Sequence, residues 1–187
     1  MSTSSPATAT LDDLYTVEGK AELIAGRIVK FMPSGFAPSH AAMRIALRLD
    51  AYADKTKIGM AFPDGLGYAL KQPLIDGRQS FCPDASFYTG SLPKNRMRFI
   101  EGAPALAVEV RSEGDYGESA ELRLAAKRAD YFEAGTHVVW DVDPLARTIA
   151  VYRSSLPEVP DVFGSGQFAD AEPAAPGFVV AVDEIFA

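Results

Sequence analysis

Hydrophobic positions along the chain fall into short runs that switch between two periods. Over 22–29, Glu22-Leu23-Ile24 and Arg27-Ile28-Val29 are β-prone runs on either side of Ala25-Gly26, which predicts a hairpin with a tight turn. Ahead of it, Thr10 is placed to N-cap a short helix through Leu14 and Tyr15. From Ser39-His40 the spacing lengthens. Met43, Ala46, Leu47 and 49–52 recur at helical intervals, with Arg44, Arg48 and Asp50 between them. Residues 59–70 read as strands around Pro63-Asp64-Gly65, and Pro73 and Asp76-Gly77 mark a turn. A strand is expected over 81–88 with its start near Pro83-Asp84, and 93–99 is a basic loop. Residues 105–110 are apolar except for Glu109, as in a strand buried on both faces. The strongest helical segment is 118–134, with acids in its first turn and Gly135 just past its end. Strands follow at 137–142 and 148–152, joined by Asp143-Pro144. The segment 154–177, with Pro157, Pro160, Pro173 and Pro176, reads as loop until the apolar run at 178–182. Strands and helices alternate only in part, so the expected class is α/β, a mixed β-sheet core flanked by α-helices.

A length of 187 residues without an internal repeat or dividing linker suits one domain. Residues 1–10 are expected to be a disordered leader, and 11–187 a single domain that includes the acidic, Pro-rich segment 154–177. The net charge of -7 argues against a general nucleic-acid coat. Its location changes that picture. Residues 154–187 hold Glu158, Asp161, Asp170, Glu172, Asp183 and Glu184 and no Lys or Arg, so the rest of the chain carries 19 acids and 18 bases. The single cysteine, Cys82, excludes an internal disulfide and suits a reducing compartment. No apolar run approaches the ~18 residues of a membrane span, and the first residues lack the basic and apolar regions of a signal peptide. A cytoplasmic location away from membranes is the expectation.

Candidate chemistry centres on two carboxylates set in apolar strands, Asp84 in Asp84-Ala85-Ser86-Phe87-Tyr88 and Glu109 in Ala107-Val108-Glu109-Val110. Unpartnered buried carboxylates cost several kcal/mol or take up a proton. A cation between them would relieve that, and hard oxygen donors suit Mg²⁺ or Mn²⁺. The alternative is that Asp84 caps a turn after Pro83 and Glu109 pairs with an arginine. Lys127 follows on the strong helix. On a helical wheel Leu122, Ala125, Ala126, Ala129 and Phe132 form one apolar face, and Lys127 lies nearly opposite, beside Leu124 and Tyr131. Either Lys127 is solvated or the helix has two buried faces. Lys94, Arg96 and Arg98 are the best basic cluster, able to grip phosphates or simply to be a solvated loop.

Taken in order, several segments resemble the Uma2 family, which is assigned to the PD-(D/E)XK nuclease superfamily as restriction-type endonucleases. They are residues 22–29, His40 at a helix start, Pro83-Asp84, Val108-Glu109-Val110-Arg111-Ser112, Lys127 with Tyr131, and residues 134–144. The resemblance runs from about Leu11 to the 178–186 segment. It implies a restriction-endonuclease-like sheet core, a divalent metal (Mg²⁺ or Mn²⁺) and cleavage of DNA. Carried over by position, Asp84 and Glu109 become metal ligands, with the Val110 carbonyl as a third donor and Glu22 as an additional acid. Lys127 takes the role of the superfamily lysine, whose usual place two residues after the Glu is held here by Arg111. His40, Arg111 and Tyr131 are left as phosphate-contacting or supporting residues. Paired double-strand cutting implies a homodimer. Two rival readings remain: an inactive nuclease-fold module that binds nucleic acid or protein, and a small-molecule metal hydrolase.

Overall fold

The computed structural model describes residues 8–187, so most of the expected leader lies outside the described residues. The chain opens with α1 (Leu11–Leu14), closed by the reciprocal Thr10–Asp13 capping box, and the hairpin β1 (Ala21–Ile24) and β2 (Arg27–Lys30). Next come α2 (Phe36–Thr56), β3 (Met60–Pro63), β4 (Tyr68–Ala69), β5 (Ser80–Phe81), β6 (Ala85–Tyr88), β7 (Ile100–Glu101) and β8 (Leu106–Val110). Then α3 (Glu118–Glu133) leads to β9 (Val138–Asp143), β10 (Thr148–Arg153), β11 (Leu156–Phe163), β12 (Phe168–Asp170), β13 (Val179–Ala181) and α4 (Val182–Ile185).

Six strands make the main sheet in the order β11-β10-β9-β8-β6-β3. Only β8 and β9 run parallel, because α3 returns the chain between them; every other neighbour pair is antiparallel. The mixed sheet flanked by helices is the architecture expected from the sequence. Alternation along β8 and β9 divides the core. Leu106, Val108, Val110, Val138, Trp140 and Val142 join the cluster beneath α2, while Ala107 and Val139 join the cluster that includes Tyr131 of α3. Ile45 and Leu49 of α2 are fully buried, each contributing about 1.5–3 kcal/mol relative to exposure. Glu109 and Asp141, paired across β8 and β9, therefore fall on the α3 side of the sheet.

Three departures from the expected elements have local causes. α2 begins at Phe36, three residues before Ser39, with Pro38 inside its first turn, where its missing N–H costs no helical bond. The expected strand 81–88 is broken at Pro83: β5 belongs to a small sheet with β4 and β7, and β6 to the main sheet. Asp84 sits at that crossing point. The expected loop after 154 contains β11, eight residues long at the edge of the sheet. Its prolines are tolerated because the β10–β11 register shifts between Val151 and Arg153, opposite the Pro157–Pro160 stretch.

Candidate active site

Asp84 is held from both sides. Its backbone N–H donates to the Val108 carbonyl at 2.9 Å, and its Oδ2 accepts from the Val110 N–H at 2.8 Å. Glu109 lies between those two strand residues, so β8 itself brings the carboxylates together. Asp84 Oδ1 accepts from the Lys20 ammonium at 2.7 Å, which also lies 2.7 Å from Asp64 Oδ1. Glu109 has its own pair of donors, both from α3: Lys127 Nζ at 2.8 Å on Oε2 and the Tyr131 hydroxyl at 2.6 Å on Oε1. Residues 127 and 131 are one helical turn apart, the spacing that places two side chains on one target. The Tyr131 ring is fixed by stacking on Phe81 at 4.3 Å.

Glu22 reaches the same cluster from β1. Its two-residue turn has Ala25 and Gly26 at positive φ (48° and 67°), the geometry of a type I′ hairpin. β1 also docks on the small sheet, where the Leu23 N–H donates to Ser80 Oγ at 2.7 Å. Fully buried, Glu22 pairs with Arg78, accepts the Cys82 N–H at 2.9 Å and lies 3.2 Å from Lys127 Nζ. Arg78 in turn donates to Asp130 at 2.6 Å. Lys20, Glu22, Arg78, Asp84, Glu109, Val110, Lys127 and Asp130 all line one cleft of about 390 Å³.

Electrostatics separate the roles of these groups. Burial alone would raise the Glu22 carboxyl, but Lys127, Arg78 and the Cys82 N–H outweigh it and hold it below its ordinary value. Glu109 goes the other way: burial, then the charges of Asp84 and Glu22, push it up against the pull of Lys127. Burial opposes the charge on Lys127, yet Glu109 and Glu22 prevail and raise it. It is an ammonium, suited to donate and to stabilise negative charge, and no base. Burial and the neighbouring carboxylates also raise the Tyr131 hydroxyl far above its usual range, so it too is a donor.

The donor chemistry fits a hard divalent cation. Each oxygen of Asp84 and Glu109 accepts one hydrogen bond and retains a second lone pair. Burial and, after it, the charge of Asp84 raise Glu109, and a cation between the two carboxylates would offset both. No group of three or more His, Cys, Asp or Glu side chains gathers as a ligand set among the described residues.

Of the sequence candidates, Asp84, Glu109, Val110, Lys127, Tyr131 and Glu22 converge. Arg111 and His40 do not join them. Arg111 grips Asp141 through Nε at 2.7 Å and Nη2 at 2.9 Å and also pairs with Glu121, clamping the end of β8 to β9 and α3. The His40 ring stacks on Phe36 at 5.5 Å and is not among the side chains lining the cleft. Arg98 of the basic loop lies over the Tyr15 ring at 4.1 Å, and the loop stays outside the cleft. Sequence reasoning missed Lys20, Arg78 and Asp130. Lys20 stands two residues before Glu22, on the same side of an extended chain, which was the one available signal.

The fold and the acidic cleft where β6 begins and β8 ends define the restriction-endonuclease-like class of α/β domain. A family model described as "Uma2: Putative restriction endonuclease" matches residues 9–183, and the chain belongs to the Uma2 family. Among solved structures it is similar to a crystal structure of a "putative nuclease belonging to DUF820" from Anabaena variabilis ATCC 29413. The TM-score is 0.72 and the identity 22%, covering 97% of this chain and 98% of that one. No curated protein matches the chain.

Proposed function

We propose that this protein is a metal-dependent endonuclease that hydrolyses DNA phosphodiester bonds. The observation that carries the reading is the convergence of Asp84 and Glu109 from adjacent strands with the ammonium of Lys127, in a family of nuclease type. Asp84 and Glu109 would hold Mg²⁺ or Mn²⁺, with the Val110 carbonyl as a third donor. When bound, that ion supplies Lewis acidity and lowers the pKa of a water molecule. Lys127 orients the attacking water or stabilises charge developing on the phosphoryl oxygens, and Tyr131 fixes Glu109 for it. Glu22 acts through its neighbours: it holds Lys127 and Arg78 in place from a fully buried position. Cutting both strands at one site would be served by a homodimer, with residues 11–187 as the working domain.

Plasmid nicking in Mg²⁺ or Mn²⁺ tests the reading. Asp84→Asn and Glu109→Gln should each abolish it, and undiminished cleavage by either variant would sink the assignment. One observation favours a second reading, an inactive nuclease-fold module that binds nucleic acid or protein: all four oxygens of Asp84 and Glu109 are engaged by the chain's own donors. That reading predicts partner binding indifferent to divalent ions.

A further inference from the structure

The ion pairs of the cleft form two separate chains. One runs Asp64–Lys20–Asp84. The other runs Glu109–Lys127–Glu22–Arg78–Asp130. Each holds one more carboxylate than cations, and each ends at the cleft on one of the two proposed ligands. Facing one another there, Asp84 and Glu109 cap a network of five carboxylates and three cations, a formal charge of -2. One divalent ion balances it.

A second divalent ion, as used by two-metal nucleases, would need the other flank of Asp84, where Asp64 is the next carboxylate. That place is taken. The Lys20 ammonium lies 2.7 Å from an oxygen of each residue, and its side chain is only 22% exposed. Asp64 directly follows β3, which pairs with β6, while Lys20 directly precedes β1. The bridge therefore ties the small hairpin to the edge of the main sheet beside the cleft.

We propose that Lys20 stands in for a second divalent cation. The protein takes one Mg²⁺ or Mn²⁺ between Asp84 and Glu109, and the Lys20 ammonium fixes Asp84 from the Asp64 side and keeps another ion out. Lys20 is thus a positioning residue for the metal ligand, an inference that rests on the metal-dependent reading above. A compact ammonium suits this task, because it carries one charge and three donors and needs none of the near-octahedral oxygen shell that Mg²⁺ demands.

Mn²⁺ binding to the full-length protein, counted by electron paramagnetic resonance and by calorimetric titration, tests this without reference to activity. The wild type should bind one ion per chain. Lys20→Met should bind two, the second lost again in the Lys20→Met/Asp64→Asn double variant. Lys20→Arg, which keeps the cation, should bind one. Two ions on the wild type would overturn the inference and leave the metal-dependent reading intact, as would a single ion of unchanged affinity on a folded Lys20→Met. No ion on the wild type would overturn that reading itself. If Lys20→Met does not fold, as judged by circular dichroism, the wild-type stoichiometry and Asp64→Asn decide: one ion on both supports the inference, two on the wild type defeats it.

Discussion

Arg78 is 7% exposed, between a fully buried Glu22 and Asp130, with its guanidinium 5.4 Å from the centre of the Phe81 ring. Removing one partner from such a group leaves the others charged and buried, which costs about 3–5 kcal/mol. Arg78→Met should therefore lower the stability of the protein by that amount in urea denaturation at neutral pH. Glu22 adds a pH signature. Its folded carboxyl titrates below its ordinary value, so its contribution is complete above the usual glutamate range and is lost as pH falls through the lower folded value. Glu109 has the opposite sign, since burial and two neighbouring carboxylates favour its neutral form. In the absence of metal, Glu109→Gln should raise the urea midpoint at pH 7, although on the nuclease reading the same change abolishes cleavage. Mn²⁺ should then stabilise the wild type and not the variant, whereas a lowered midpoint would show that Lys127 and Tyr131 outweigh the repulsion. These assignments also show how legible the residues were. Asp84 and Glu109 stand out because a carboxylate in an apolar strand requires an explanation. Lys20 and Arg78 sit in turn-rich stretches where a cation is normally solvated, and only the folding of the hairpin onto the small sheet buries them.

At the level of elements, α3 inverts the usual relation between apolarity and burial. Leu122 is 68% exposed, and Ala125, Ala126 and Ala129 also face outward. The buried side carries Lys127, Asp130 and Tyr131 instead. Of the two alternatives open from the wheel, neither holds as stated: Lys127 is not solvated, and of the apolar face only Phe132 packs against the core. The helix is held by ion pairs and a buried tyrosine, which a hydrophobic-periodicity argument has no means of weighing. The hairpin was readable because a two-residue turn has a recognisable signature. Its anchoring was not, because it depends on Gly77, more than fifty positions along the chain from Glu22. Gly77 has φ +90°, its carbonyl accepts the Ala25 N–H at 2.8 Å, and an added Cβ would lie 2.8 Å from the Ala25 Cα. Gly77→Ala should therefore destabilise the protein by about 2 kcal/mol. On the nuclease reading, loosening the strand that carries Glu22 should also lower kcat more than it raises KM. A Gly77→Ala protein with wild-type denaturation and kinetics would show that the hairpin positions Glu22 without this anchor.

Across the whole molecule the acidic C-terminal segment is not a free tail. Arg153 pairs with Asp161 and Asp170, Arg48 pairs with Glu184, and Trp140 donates its indole N–H to the Asp170 carbonyl at 3.1 Å. Those acids are set against basic groups on β10 and α2, while the cleft lies on the side of the sheet where Glu109 meets α3. Among the described residues no helix is long and apolar enough to cross a membrane. Residues 1–153 carry 19 acids and 18 bases, so on the nuclease reading DNA would be gripped by a few local cations. Four cations line the cleft: Lys20, Arg78, Arg123 and Lys127. Three of them are committed to carboxylates, and Arg123 makes no carboxylate pair among the described residues, its guanidinium reaching only Ser119 and the Gly114 carbonyl. On the nuclease reading Arg123 is the cleft cation available to a DNA phosphate. Arg123→Ala should raise KM with kcat little changed, and should reduce the slope of log binding constant against log salt by about one unit, the release of one counterion. Fluorescence anisotropy with a labelled duplex over a salt series measures that slope. An unchanged slope would mean that DNA approaches the cleft from a side that Arg123 does not face, and the exposed cations of the 93–99 loop would become the next to substitute.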